Sequence, residues 1–124
     1  MRKLCFFCLL AGSLLGCARE KSTGDWVRQL KDPDASLRLQ AIKALKDRIS
    51  EAAVVPALTE TLKDDNAFVR RDAALALGKI GPDARPALPA LTATLKDREH
   101  SVRKAAADAL KKIDPEAAAR KGIK

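Results

Sequence analysis

Residues 64–77 read Asp-Asp-Asn-Ala-Phe-Val-Arg-Arg-Asp-Ala-Ala-Leu-Ala-Leu, and this stretch decides the fold. Val69, Ala73, Ala76 and Leu77, continued by Ile80, recur at the three- and four-residue spacing of one helix face. Asn66 stands where a helix cap is expected, and Gly81-Pro82 is a helix stop. The same stretch occurs twice more without a gap. Residues 32–45 read Asp-Pro-Asp-Ala-Ser-Leu-Arg-Leu-Gln-Ala-Ile-Lys-Ala-Leu, and residues 97–110 read Asp-Arg-Glu-His-Ser-Val-Arg-Lys-Ala-Ala-Ala-Asp-Ala-Leu. The copies stand 32 residues apart from Asp32 to Asp64 and 33 apart from Asp64 to Asp97. Each follows the same Leu-Lys-Asp lead-in, at Leu30, Leu62 and Leu95.

Working outward, a shorter helix precedes each copy. Pro56 and Pro89 suit its first turn, where a missing amide proton costs little, and Val55, Leu58 and Leu62 or Leu88, Leu91 and Leu95 form its buried stripe. One repeat is thus a helical hairpin. Trp26 falls in register with Leu58 and Leu91, so it is expected in the core of the first hairpin or as a plug over its end; Leu37, Val69 and Val102 are expected in the core. Residues 114–117 repeat 81–84, the start of a fourth unit that serves as a cap. Aromatics are 3% and Tyr is absent, poor material for an all-β domain, and 124 residues exclude a large multi-layer enzyme.

The three units resemble HEAT repeats, in particular the HEAT-like repeats of phycobilisome lyases, over about residues 25–117. The resemblance implies an all-α fold, a short right-handed α-solenoid of about three hairpins. The units are expected at 24–49, 50–81 and 82–114, with a C-terminal cap at 115–124. Stacking is one-dimensional: no hairpin buries its stripe alone, and about three are needed for stability. In resembling repeats the aspartates equivalent to Asp32, Asp64 and Asp97 and the arginines equivalent to Arg38, Arg70 and Arg103 link neighbouring units through charge-assisted hydrogen bonds. The first unit departs from the pattern: Arg48 stands where Ile80 and Ile113 stand, which suits an end repeat with one solvent-facing side.

The beginning of the chain carries an address. Arg2 and Lys3 precede an apolar run at 4–15, then Gly16, Cys17 and an abruptly polar segment. That is a signal-peptide layout, too short for a bilayer core that needs about 20 residues. Leu14-Leu15-Gly16-Cys17 resembles the bacterial lipobox, which implies cleavage of residues 1–16 and a lipidated Cys17. Residues 17–23 would then be a short tether. The expected address is the bacterial cell envelope, and resemblance to enterobacterial lipoproteins, with Ala18 rather than Asp after the cysteine, implies the outer membrane. Cys5 and Cys8 leave with the leader, so no disulfide forms within one mature chain.

The precursor has 24 basic and 16 acidic residues; without Arg2 and Lys3 the balance is 22 to 16, a net +6. Lys31, Lys63 and Lys96, and likewise Lys46, Lys79 and Lys112, recur near the repeat period with no assigned partner. Such a basic surface fits either anionic headgroups or plain solvation. Phe68 takes the place of Ser36 and Ser101, and either anchors a partner or folds against the adjacent loop. The second helices line the concave side in resembling solenoids, so Arg71, Lys79, Lys104 and Lys112 join Phe68 as candidate binding residues.

Catalytic chemistry is not expected. His100 is the one histidine, the one mature cysteine would be lipidated, and no Gly-rich phosphate loop is present. No metal, cofactor, nucleic acid or small-molecule substrate is expected either. The sequence therefore points to a membrane-anchored protein-binding or scaffold module with an unidentified protein partner. The alternatives are a binder of anionic lipid or envelope polymer, and an accessory subunit of an enzyme complex.

Overall fold

The structure, a computed structural model, describes residues 19–124; the expected leader 1–16 and the expected lipidation site Cys17 lie outside the described residues. Among the described residues the chain forms seven α-helices, one 3-10 segment and no strand. The order is α1 (Thr23–Gln29), α2 (Ala35–Leu45), α3 (Val54–Thr61), α4 (Ala67–Ile80), the 3-10 segment Gly81–Ala87, α5 (Leu88–Thr94), α6 (His100–Ile113) and α7 (Pro115–Arg120). Hairpins α1–α2, α3–α4 and α5–α6 are the three repeats.

Local chemistry sets most helix ends. Ser22 and Asp25 form a capping box on α1: the Ser22 hydroxyl accepts from the Asp25 amide, and the Asp25 carboxylate accepts from the Ser22 amide. Asp34 accepts from the Ser36 amide at 2.8 Å, and Asn66 accepts from Phe68 and Val69 at 2.9 and 3.3 Å. Each such cap is worth about 1 kcal/mol. Glu99, in the same place on α6, makes no side-chain cap. Gly81 ends α4 with φ +77°, a backbone angle that a Cβ disfavours.

The core runs as a stripe through all three hairpins. Leu45, Leu58, Leu77, Leu91 and Leu110 recur at its centre, and all are essentially inaccessible. Truncating one of them to alanine would cost about 2–5 kcal/mol, from lost transfer energy and the cavity left behind. On α3 the deepest valine is Val54, and Val55 is half-buried, one position away from the expectation. The first-turn prolines Pro56 and Pro89 fit without breaking a helix. Buried Thr61 and Thr94 each donate to the carbonyl four residues back, so neither hydroxyl is stranded.

The second helices α2, α4 and α6 form one layer. Spacing within it is uneven, because α4 packs along α6 far more closely than α2 packs along α4. Gly78 explains the close pair: a Cβ there would lie 3.0 Å from the Ala109 Cα and 3.2 Å from its Cβ. In the first unit, 32 residues earlier, Lys46 takes this register and cannot be buried in the same way. In the other layer the 3-10 segment touches α3, α4, α5 and α6, joining the second hairpin to the third.

Three residues at the open end of the first unit refine the sequence reading. Leu37 is 39% exposed, whereas Val69 and Val102 in the same register are fully buried. Among the described residues, no unit stacks on the outer side of α2, and this leaves Leu37 open to water. Trp26 is half-buried, packs on the core edge and carries the Lys21 ammonium 4.6 Å above its ring, so it plugs this end. Arg48 turns toward Thr23 Oγ1 and the Lys21 carbonyl, both at 3.3 Å, and toward Glu51. The last helix α7 covers the other end, with Ala118 buried.

Candidate protein-binding face

The aspartates lie in the turns between hairpin arms and the arginines near the start of the second helices, and Arg38 and Arg70 each serve two units. Arg70 donates from Nη1 to the carbonyls of Asp64 and Asp65 in its own turn, at 2.9 and 3.1 Å. Its Nε and Nη2 donate to the two oxygens of Asp97 in the next unit, at 2.8 and 3.1 Å. Arg38 repeats the scheme one unit earlier. Its Nη1 reaches the Asp32 and Pro33 carbonyls, and its Nη2 donates to Asp64 at 3.1 Å. The Arg38 Nε lies 2.9 Å from the other Asp64 oxygen, in ion-pair contact but off the hydrogen-bond line. Arg38 also reaches the exposed Asp65.

Arg103 holds only its own turn, through the Asp97 and Arg98 carbonyls at 2.7 and 3.0 Å. The Asp32 carboxylate caps the Asp34 amide, as Asp64 and Asp97 cap theirs. Burial raises the Asp97 carboxyl toward its neutral form, but the hydrogen bonds from Arg70 and the Glu99 amide outweigh this and hold its pKa below the usual range. Arg38 and Arg70 are buried and engaged, so they act as structural ties between units.

The exposed side of the second-helix layer is different in character. Phe68, Arg71, Asp72, Leu75 and Lys79 fall on one side of α4 at intervals of three, four, seven and eleven residues from Phe68. Phe68 is 61% exposed and Leu75 is 45% exposed. Phe68 therefore projects from the helix rather than folding against the loop. The Arg71 guanidinium lies 5.3 Å above its ring and pairs with Asp72 at 2.9 Å. Two apolar side chains thus stand in a polar frame, and Leu75 is the one that sequence reasoning missed. Its seven-residue spacing from Phe68 was the available signal.

The lysines divide into two groups. Lys79 donates to Asp47, in the turn just after α2, at 2.9 Å. This single bond lowers the Asp47 pKa most, with help from the charges of Lys46 and Lys43. The ladder that aligns Lys79 with Lys46 is therefore one residue out of register: the true counterpart of Lys79 is Asp47, and that of Lys46 is Gly78. Lys104 and Lys112 stand exposed on α6, and Lys31, Lys63 and Lys96 stand exposed in the turns. Among the described residues, no group of three or more His, Cys, Asp or Glu residues gathers in a geometry that would hold a metal ion.

Between α2 and α4 runs an open groove of about 530 Å³. Ile42 and Ala76 floor it, Leu39 and Leu75 form its apolar sides, and Lys43, Lys46 and Lys79 stand along its rim. A second depression lies between α1 and α3 in the other layer, over Val27, Leu30, Pro56 and Ala57. Its polar wall includes the Arg38–Asp64 tie.

Stacked helical hairpins joined by an Asp–Arg ladder define an α-solenoid of the HEAT type. The family model for HEAT repeats matches residues 25–111, and the chain belongs to that family. Among solved structures, the chain is similar to one in the complex of CpcE and CpcF of phycocyanin lyase from Nostoc sp. PCC7120, with 31% identity and a TM-score of 0.71. The likeness covers 87% of this chain and 43% of that one, so the chain spans less than half the length of its structural relative. Among curated proteins, none matches the chain significantly.

Proposed function

We propose that the chain is a small HEAT-repeat module that binds another protein through its second-helix face and is held on a bacterial membrane by lipid on Cys17. The observation that carries this reading is the exposure of Phe68 and Leu75 on one side of α4. Large apolar side chains kept in water on a rigid scaffold are the usual mark of an anchor for a partner. Arg71 holds the Phe68 ring from one side, which reduces the freedom the ring would lose on binding. The lipobox-like 14–17 stretch supports the membrane address, in the cell envelope with the outer membrane favoured. In this reading the chain does no catalysis by itself.

The likeness to a chain from a two-protein lyase complex favours one particular form of the reading, an accessory subunit whose catalytic groups reside on another chain. A tagged full-length chain, crosslinked in cells and recovered in detergent, tests the proposal. One dominant protein, recovered from the membrane fraction and lost with Phe68→Ser plus Leu75→Ser, is the expected result. Cys17→Ser should move the chain out of the membrane fraction. Adducts confined to lipid or cell-wall polymer would reject protein binding, and unchanged membrane retention of Cys17→Ser would reject the anchor.

A further inference from the structure

The groove between α2 and α4 has a sequence cause and a chemistry of its own. Glycine at position 78 lets α4 close on α6, but Lys46 in the same register keeps α2 off α4. The gap leaves Leu39 and Leu75 facing water across an apolar floor. Charge is concentrated at one end, where Lys43, Lys46 and Lys79 surround the single carboxylate of Asp47. Three ammonium groups against one carboxylate leave an excess positive charge beside the apolar sides. Asp72, the acid on the α4 side, is already held by Arg71.

Resting on the reading of the chain as a protein-binding module, we propose that this groove receives an amphipathic helix of a partner protein, its apolar stripe between Leu39 and Leu75 and its acidic flank against Lys43 and Lys46. A helix fits better than an extended segment. Both sides of the groove are helices whose backbone groups are spent within themselves, so an added strand would find no main-chain partners. A helix brings its own backbone bonds satisfied and offers apolar side chains at one-turn spacing, matching Leu39 on one side and Leu75 on the other. The lysine cluster sets charge preference and orientation, and its contribution weakens with salt.

The test uses the full-length chain in detergent and a displayed library of helical peptides. Leucines are fixed on one face of each peptide, and the flanking positions vary among Glu, Lys, Gln and Ser. Recovered binders should be rich in Glu at the flanks. Leu75→Ser, and separately Lys43→Glu with Lys46→Glu, should each weaken the best binder by about tenfold or more. The double reversal should also select Lys-flanked peptides in a repeat of the experiment. These side chains are exposed or half-buried, so the variants keep the fold, which an unchanged thermal transition verifies. Binders indifferent to both variants would overturn the groove while leaving protein binding by another face intact. Recovery of no helical binder would overturn the groove proposal, and protein binding itself stands or falls on the crosslinking. Binding to vesicles rich in anionic lipid, abolished by the same variants while no peptide competes, would assign the groove to lipid and overturn the proposal.

Discussion

Replacing Arg70 with Met and Asp97 with Ala, singly and together, measures how the hairpins are joined. Arg70 makes four hydrogen bonds, two to the Asp97 carboxylate and two to the carbonyls of Asp64 and Asp65. The two side chains are only 7% and 12% exposed, so water does little to replace a lost partner. Arg70→Met strands a carboxylate and two carbonyls, which places its cost at about 3–4 kcal/mol, between an ordinary charged hydrogen bond and the breaking of a buried pair. Asp97→Ala leaves Arg70 still bonded to its own turn, and should cost less, about 2 kcal/mol. The double variant should fall short of the sum by about 2 kcal/mol, since the second change removes a group the first had already stranded. A domain of this size has only about 5–10 kcal/mol in all, so urea unfolding at neutral pH, followed by helical circular dichroism, resolves every corner of the cycle. The exposed Lys79–Asp47 pair, treated in the same way, should show no resolvable coupling. If the Arg70–Asp97 coupling is no larger than that of Lys79–Asp47, the ladder is not what joins the repeats.

Other consequences can be measured on the same material. Gly78→Leu must force α4 away from α6 and should cost about 2–3 kcal/mol in the same unfolding assay, overpacking outweighing the better helix propensity; an unchanged midpoint would show that the two helices are not in close contact. Because the Asp97 pKa is lowered in the folded state, its stabilisation is complete above the unfolded value of about 4 and is lost as pH falls through the folded value. Melting temperature should therefore decline below about pH 4 with a shallower slope in Asp97→Asn, and parallel curves would exclude this carboxylate as a source of the acid sensitivity. Val69→Ala should cost about 2 kcal/mol, whereas Leu37→Ala, in the same register but exposed, should cost less than half of that. Equal costs would mean that α2 is covered on its outer side.

Much of this architecture is legible in the residues. The apolar spacing of 69–80 and 102–113 gives α4 and α6, and Asn66 and Gly81 mark the ends of α4. The paired Asp and Arg positions become inter-unit ties through geometry that each turn repeats. Exposure is harder to read, because it depends on which unit stacks against a helix rather than on the helix itself. Leu37 has the register of Val69 and lacks its burial for that reason alone. The lysine ladder fails for a related cause: the first two units are 32 residues apart and the next two 33, so a lysine series spaced by 33 slips by one position and puts Asp47, not Lys46, beside Lys79. The groove turns on one register position, Gly78 in the second unit and Lys46 in the first, and its meaning appears only when the neighbouring helix is in place. The face of α4 lies between these extremes, since Phe68 stood out as an aromatic in a serine position while Leu75 passed as another helix leucine.

The most direct test of the account is residue-resolved photocrosslinking in cells, with the reactive group placed in the full-length chain at Phe68 and Leu75 on the second-helix face and at Pro56 and Lys63 on the other layer. The account predicts one protein, the same from Phe68 and from Leu75 and absent from the other two positions. Equal labelling from both layers, or adducts with lipid alone, would contradict it.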